Sequence, residues 1–464
     1  MPIDPATILP PDSPAAVSLV RGRERRRDSP RRGHAAWTAP AGRVDPVDTV
    51  ITSNDGRLPD LVPIRIGRMM ESPFTFYRGS AAVMAGDLAS TPSMGSTVQL
   101  CGDAHLSNFG VYASPERRLV FDLNDFDETH PGPWEWDVKR LAASFVVASR
   151  TNGYPESTAR DMAAVVGREY RAWIRRYAGM RALDVWYAAI PIEEILARVE
   201  RARRRVTVAA TLAEGLETAR RKDHMAALGK LSQVAPDGGW VIRHRPPLLQ
   251  RIAVDDPLRR AVPEVYRQYV TSLTPDRRVI VEKHRLVDVA LKVVGVGSVG
   301  TRCYIALFRG PAGGPLFLQV KEARPSVLAP YVRGPRIRHQ GERVVTGQRV
   351  MQAVSDIFLG WTRSPVANTE FYVRQLHDMK YGIDIAGLRP PGMELYAQVC
   401  AWALARAHAR SGNVAEIAGY LGPGDVFDQA LAGFGVAYAD QAERDHEALV
   451  AAVRAGRLPA ETGV

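Results

Sequence analysis

Apolar positions along this chain recur at helical spacing, then at strand spacing, then at helical spacing again. Residues 1–45 carry no hydrophobic period. They are rich in Pro, Arg and Ala, with Arg23, Arg25, Arg26 and Arg27 in one run, and read as a flexible basic tail. Order is expected from near Asp48. Residues 62–88 read as mostly helical, with an aromatic interruption at 74–77. A short strand is expected over 97–101, followed by the loop sequence GDAHLSNFG. Phe109–Ala113 and Leu119–Leu123 read as the arms of a β-hairpin turned at 114–117. The spacing then predicts helices over 134–150 and 157–232, where Arg203, Arg204 and Arg205 read as a solvated helix face.

Past Pro275 the pattern changes. Within 279–321 the segments VIVEKHRLVDVALKVV, RCYIALFRG and PLFLQVKEA, separated by glycine-containing turns, predict a meander of antiparallel strands. Residues 340–360 read as helix, 369–376 as a strand, and the chain from 393 onward as helices. The expected organisation is a tail (1–45), a helix-rich part with two acidic loops (46–275), a small β-rich unit (276–385) and C-terminal helices (386–464). The fold class is α+β.

At 464 residues the chain is too long for one ordinary core. Its 46% hydrophobic and 24% charged residues are those of a globular protein. Cys101, Cys303 and Cys400 lie far apart with no CxxC pair, which argues against a disulfide framework or structural zinc and fits a reducing, cytoplasmic setting. The N-terminal MPIDPATILPPDSPAAV has prolines and acids where a signal peptide needs an apolar core, and no run of about 18 apolar residues occurs. The net charge of +11 is spread widely, and no basic helix interleaves aromatics. An arginine-rich solvated surface therefore reads better than a nucleic-acid binder, and a phosphate-bearing ligand in a positive cleft fits equally.

Chemistry concentrates at Gly102-Asp103-Ala104-His105-Leu106-Ser107-Asn108. A strand precedes it and a hairpin follows. Phosphoryl transfer needs a carboxylate to accept the proton of the attacking hydroxyl and, a few residues on, an amide oxygen to hold a divalent cation. Asp103 and Asn108 have that spacing, and His105 between them steadies the catalytic loop. The hairpin then delivers Phe121-Asp122-Leu123-Asn124-Asp125-Phe126-Asp127-Glu128, in which Asp122 and Asp125 both qualify by spacing as the second metal ligand. Hard oxygen ligands suit Mg or Mn. Two other readings compete: acidic residues that merely cap turns, and a metallohydrolase set of His105, Asp122, Asp125, Asp127 and His130, which is poor in imidazole for a transition metal.

Gly295, Gly297 and Gly300 form GxGxxG between two strand-like segments. A strand follows them, so a dinucleotide-binding turn does not fit. Lys321 lies inside an apolar strand, where a lysine is unfavourable unless paired. Glu342, on the next expected helix, is the anticipated partner, because Glu322 points to the opposite strand face. A glycine loop between strands, a strand lysine and a helix glutamate are the parts that hold ATP phosphates in kinase-like small lobes. Residues 377–381 would then form a hinge.

GDAHLSN resembles the HGDxHxxN catalytic loop of aminoglycoside phosphotransferases and related kinase-like enzymes. NDFDETHPGPWEWDVKRLA resembles their metal-binding segment, with Gly132 and Asp137 as the following Gly and Asp, and this register favours Asp125. Cys101 stands where those enzymes carry His. The resemblance implies a two-lobed protein-kinase-like fold, with a small antiparallel β lobe and a large helical lobe, binding ATP and Mg. The glycine loop and lysine follow the catalytic loop here, whereas in kinase-like chains they precede it, so the resemblance implies a circular permutation. The helix at 401–409 resembles the one that normally precedes the catalytic loop, and His408 reads as a packed residue. From about residue 50 to 455 the chain also resembles the bacterial family catalogued as domain of unknown function 2252, through RMMESPFTFYRG, GDAHLSNFG, FDLNDFDE, PWEWDVKRLAAS, VGVGSVGTRCY and HARSG. The expected function is ATP- and Mg-dependent phosphoryl transfer to an unidentified hydroxyl. Adenylyl transfer from a flipped ATP, a non-catalytic nucleotide-binding scaffold and a nucleic-acid binder are the alternatives.

Overall fold

The computed structural model describes residues 13–201, 224–236, 238–253, 255–366, 368–376 and 381–463. The Arg203–Arg205 run and most of the expected hinge at 377–381 lie outside them.

Helix α1 (Pro14–Glu24) begins behind Ser13, whose hydroxyl accepts a hydrogen bond from the Ala16 N–H. Residues 13–45 were expected to be a flexible tail; instead they are ordered. A Cβ on Gly22 would overlap the Glu416 carbonyl, and one on Gly419 would overlap the Leu19 carbonyl, so α1 lies backbone to backbone on a C-terminal helix. Arg26 and Arg31 donate to the carbonyls of Gly419, Tyr420 and Leu421, which the helix end leaves unpaired. Small residues and carbonyl-capping arginines make this contact, so it leaves no hydrophobic period.

Four short helices follow: α2 (Pro46–Thr52), α3 (Val62–Met70), α4 (Pro73–Gly79) and α5 (Ala81–Leu88). Pro at the first or second position of α2, α3 and α4 suits helix starts, where the missing N–H has no partner to lose. Strand β1 (Thr97–Leu100), the hairpin β2 (Phe109–Ala113) and β3 (Leu119–Leu123), and β4 (His130–Pro133) come next. β1 pairs antiparallel with β4, and Phe109 opposes Leu123 across the hairpin. These pairings bring the loops 101–108 and 124–129 side by side. Helices α6 (Trp134–Thr151), α7 (Glu156–Ala178), α8 (Ala182–Tyr187) and α9 (Ile192–Arg201) continue the helical part.

After α10 (His224–Leu231) come the short strands β5 (Ser232–Val234), β6 (Trp240–Ile242) and β7 (Leu249–Arg251), then α11 (Pro257–Ser272) and α12 (Pro275–Glu282). The sheet strands are β8 (Arg285–Lys292), β9 (Cys303–Arg309), β10 (Pro315–Glu322), β11 (Gly360–Ser364) and β12 (Thr369–Gln375), with α13 (Gln340–Met351) between β10 and β11. The antiparallel order is β11-β12-β10-β9-β8-β7. Three expectations need correction here. Residues 279–282 are helical, because Pro275 and Asp276 start α12 where strand was read. The sheet draws β7 from before residue 275, so its boundary is not at 276. The helix expected over 340–360 stops at Met351: Gln352 is extended with its side chain buried on the Leu123 carbonyl, and Gly360 opens β11.

Helices α14 (Pro390–Ser411), α15 (Val414–Leu421) and α16 (Val426–Arg454) pack on α6 and α7 around Trp134, Phe145, Tyr170, Leu404 and Phe427. The architecture is mixed α+β with small antiparallel sheets. Among the described residues no helix is long and apolar enough to cross a membrane. The three cysteines are free and buried.

Candidate active site

The loop 101–108 is tied down from below. Asp137, in the first turn of α6, accepts the N–H groups of Cys101 at 2.6 Å and Gly102 at 3.0 Å. His408 of α14 is buried; its Nε2 donates to Asp137 at 3.3 Å and its Nδ1 accepts from Tyr170. It is a packed residue, as read from sequence. Gly102 sits at φ +85°, and a Cβ there would overlap the Glu128 carbonyl, so only glycine lets the two acidic loops touch.

Asp103, His105, Asn108, Asp125, Asp127 and Lys321 line one cavity of about 1100 Å³. Asp103 is held by Arg140 of α6 at 2.5 Å, with His105 Nε2 at 3.7 Å from its other oxygen. Burial pushes the Asp103 carboxyl up to about 7, against the pull of Arg140. Burial also holds the His105 imidazole neutral, far below its ordinary range, and Arg78 and Arg140 act the same way. Asn108 donates its amide N–H to the Asp103 carbonyl at 2.7 Å, which leaves the amide oxygen as the group it offers to the cavity.

The structure separates the two candidate metal carboxylates. Asp122 is 1% exposed and accepts from Arg406 of α14 (0% exposed) with both oxygens at 2.7 Å, and from the Ala353 N–H at 3.0 Å. It does not line the cavity, and the metal role read for it is corrected: its strand face points into the helical core. Asp125 is 31% exposed, lines the cavity and lies 3.8 Å from Lys321. His130 turns Nδ1 to the Pro131 carbonyl at 2.8 Å and does not line the cavity. Among the described residues no three His, Cys, Asp or Glu side chains gather as a metal cage, so the metallohydrolase set does not assemble. Mg bound by one or two carboxylates plus substrate phosphates needs no such cage. Asp125 and Asn108 supply oxygen donors of that kind.

Lys321, the next-to-last residue of β10, is 3% exposed. Its partner is not Glu342. Its Nζ lies 2.8 Å from Asp127 Oδ2 and 5.4 Å from the Tyr372 ring centre, while Tyr372 donates its hydroxyl to Asp127 Oδ1 at 2.6 Å. Burial opposes the charge on both partners. The attraction prevails, with Lys321 held above its ordinary range by Asp125 and Asp127, and Asp127 held below its own. Glu342 lies exposed in the first turn of α13 and is absent from the cavity wall. One residue on, Arg343 turns inward and donates to the carbonyls of Asp127, Thr129 and Arg324. One residue is about 100° of helix, so the expected glutamate and the observed arginine face opposite environments.

The glycine loop joins β8 to β9. Gly295 and Gly297 line the cavity, whereas Gly300 does not; it turns at φ +85° against the Arg57 side chain. Ser298 in this loop donates to Asp127 Oδ2 at 3.3 Å. Helix α3 and the connection that leads into it grip the same loop. Arg57 donates to the Val299 carbonyl at 2.6 Å, Arg68 to that of Val294 at 2.8 Å, and the Leu58 N–H to that of Gly300 at 2.7 Å. Arg65 is buried, with its guanidinium on Asn54 and the Gly79 carbonyl. Sequence reasoning missed these arginines. The available signal was arginine at 57, 65, 68 and 78 in a stretch otherwise rich in apolar residues.

Over residues 57–452 the chain matches the family described as uncharacterized proteins conserved in bacteria, domain of unknown function 2252, and it belongs to that family. No curated protein and no solved structure matches it.

Proposed function

We propose that this protein is a phosphotransferase that moves the terminal phosphoryl of ATP, with Mg or Mn, to a hydroxyl acceptor, in a circularly permuted kinase-like arrangement. One observation carries the reading. The Lys321 ammonium, on the second strand after the glycine loop, is ion-paired with Asp127 and near Asp125, in the same cavity as Asp103, Asn108 and the loop of Gly295 and Gly297. These are the parts from which kinase-like sites are built. They come from two segments of the chain in the reverse of the usual order.

Asp103 accepts the proton of the acceptor hydroxyl as its oxygen bonds to the terminal phosphorus, and the bond to the bridging oxygen breaks with its electron pair leaving on ADP. A carboxyl that titrates near neutrality is poised for this exchange. Asn108 and Asp125 would hold the cation, which would supply positive charge against that of the phosphates. Gly295 and Gly297 let backbone approach the phosphates, and Lys321 contacts them. Asp127, with Tyr372, takes the place that a helix glutamate was expected to fill.

Calorimetric titration with ATP, with and without Mg, tests the reading. Mg-dependent binding that is lost in Lys321→Ala and in Asp125→Ala supports it. No binding by the wild-type protein at millimolar ATP sinks it.

A further inference from the structure

We infer that Arg78, at the end of α4, binds the terminal phosphoryl group of the nucleotide between the glycine loop and Asp103; this rests on the phosphotransferase reading of the cavity. Arg78 lines the cavity together with Asp103, His105 and Asn108. Its own carbonyl lies 3.5 Å from where a Cβ of Gly297 would stand, so its backbone abuts the glycine loop. Its electrostatic influence reaches both Asp103 and His105. It therefore stands where the two loops that must flank a transferring phosphoryl meet.

Its guanidinium is also uncommitted. The other arginines that line the cavity are engaged: Arg43 on Asp87 and Asp445, Arg57 on the Ser53 and Val299 carbonyls, Arg65 on Asn54 and the Gly79 carbonyl, Arg324 on the Ser53 and Asp55 carbonyls, and Arg374 on Gln319 and the Asn124 carbonyl. Of the two carboxylates that act on Arg78, Asp103 is held by Arg140 at 2.5 Å and Glu71 is exposed. Among the described residues nothing hydrogen-bonds the Arg78 guanidinium; its Nε is buried without a partner, and the group rests over the Phe74 ring, 6.0 Å from its centre. Arg78 is half-buried, and a partly desolvated cation with no hydrogen-bonded anion is unfavourable, while the guanidinium fork matches phosphate oxygens. The charge on those oxygens must be offset while the bond to the bridging oxygen breaks and the bond to the acceptor oxygen forms. Arg78 supplies that offset from within the same chain.

Two nucleotides that differ only in the terminal group isolate the effect. Calorimetry with Mg measures the affinity of ADP and of the non-hydrolysable β,γ-imido analogue of ATP for the full-length protein, for Arg78→Gln and for Arg78→Lys. The wild type is expected to prefer the triphosphate. Arg78→Gln is expected to lose roughly tenfold or more of triphosphate affinity with ADP affinity unchanged, and Arg78→Lys to keep part of the preference. If Arg78→Gln fails to fold, Arg78→Lys carries the test, since losing the fork alone should shrink the preference. A wild type without preference, or variants whose triphosphate-to-diphosphate ratio is unchanged, overturns the inference. That second outcome is also the one expected if Arg78 instead holds an anionic group on the acceptor. Absence of any nucleotide binding by the wild type defeats the underlying phosphotransferase reading itself.

Discussion

Lys321 Nζ lies 2.8 Å from Asp127 Oδ2, a residue 194 positions earlier in the chain. This contact joins the sheet to the loop that follows β3, and it neutralises a lysine that is 3% exposed. Removing one partner of a buried pair leaves the other charge desolvated. Lys321→Met is therefore expected to destabilise the protein by roughly 3 kcal/mol, and Lys321→Met with Asp127→Leu to recover most of that. Urea unfolding of the two variants measures it. A double variant no more stable than the single one would show that the pair is not energetically coupled.

Asp122 and Asp125 should separate by phenotype. Asp122→Asn breaks the pair with Arg406 inside the helical core and is expected to lower stability by about 3–5 kcal/mol, while the folded protein should keep the proposed Mg-dependent ATP binding. Asp125→Asn, at a cavity wall, is expected to change stability by less than about 1 kcal/mol and to abolish the Mg dependence. Unfolding and calorimetry on both variants decide it; the reverse pattern would reassign the metal ligand.

The Asp103 carboxyl, pushed up to about 7 by burial, gives two pH signatures. Its folded value lies above its unfolded one, so the stability it contributes is fully present below about 4 and is lost as pH rises through about 7. The stability difference between wild type and Asp103→Asn should shrink over that window and then level. In the proposed mechanism phosphoryl transfer needs the ionised form, so on that reading its rate should fall about tenfold per pH unit below about 7. Arg140→Met removes the cation that opposes the shift and should move the acid limb of the rate profile to higher pH. An unmoved limb would assign it to another group.

Glu342→Ala is expected to cost only a few tenths of a kcal/mol, from the lost charge at a helix N-terminus, with nucleotide affinity unchanged. A large loss of affinity would restore Glu342 as the anchor of Lys321.

Gly102→Ala and Gly295→Ala contrast two glycines. Gly102 is at φ +85° with the Glu128 carbonyl in the way, whereas no atom lies within 4 Å of a Cβ built on Gly295. The first is expected to cost about 1–3 kcal/mol or more and to disorder the loop carrying Asp103. The second should be within about 0.5 kcal/mol of wild type in stability. Thermal melts of both variants give the comparison.

Much of the local structure was legible because short-range chemistry dictates it. Two short apolar runs with a turn at 114–117 produce the β2–β3 hairpin where it was expected, and the strands at 97–100 and 369–375 stand close to where the sequence pattern put them. The errors share a cause. At 279–282 the apolar residues suited a strand, but Pro275 and Asp276 favoured a helix start. At 352–360 helical composition continued, but the Asp356 carboxylate takes the N–H groups of Phe358 and Gln375 and holds the chain in a turn. The packing of α1 through Gly22 and Gly419 is close backbone contact, which hydrophobic periodicity does not register.

The chain by itself determined the strand–loop–hairpin that carries Asp103, Asn108 and Asp125, and the glycines between two strands, because residue type and spacing specify loops and turns over a few positions. It also established that Lys321 needs an anionic partner, since a lysine in an apolar strand is costly wherever the strand lies. Only the tertiary structure decided which anion that is, which of Asp122 and Asp125 faces the cavity, and that Arg57 and Arg68 clasp the glycine loop. Each of those outcomes depends on which face of a strand or helix meets a segment far away in sequence. A rotation of one residue, as between Glu342 and Arg343, reverses the result while leaving the local pattern of the sequence unchanged.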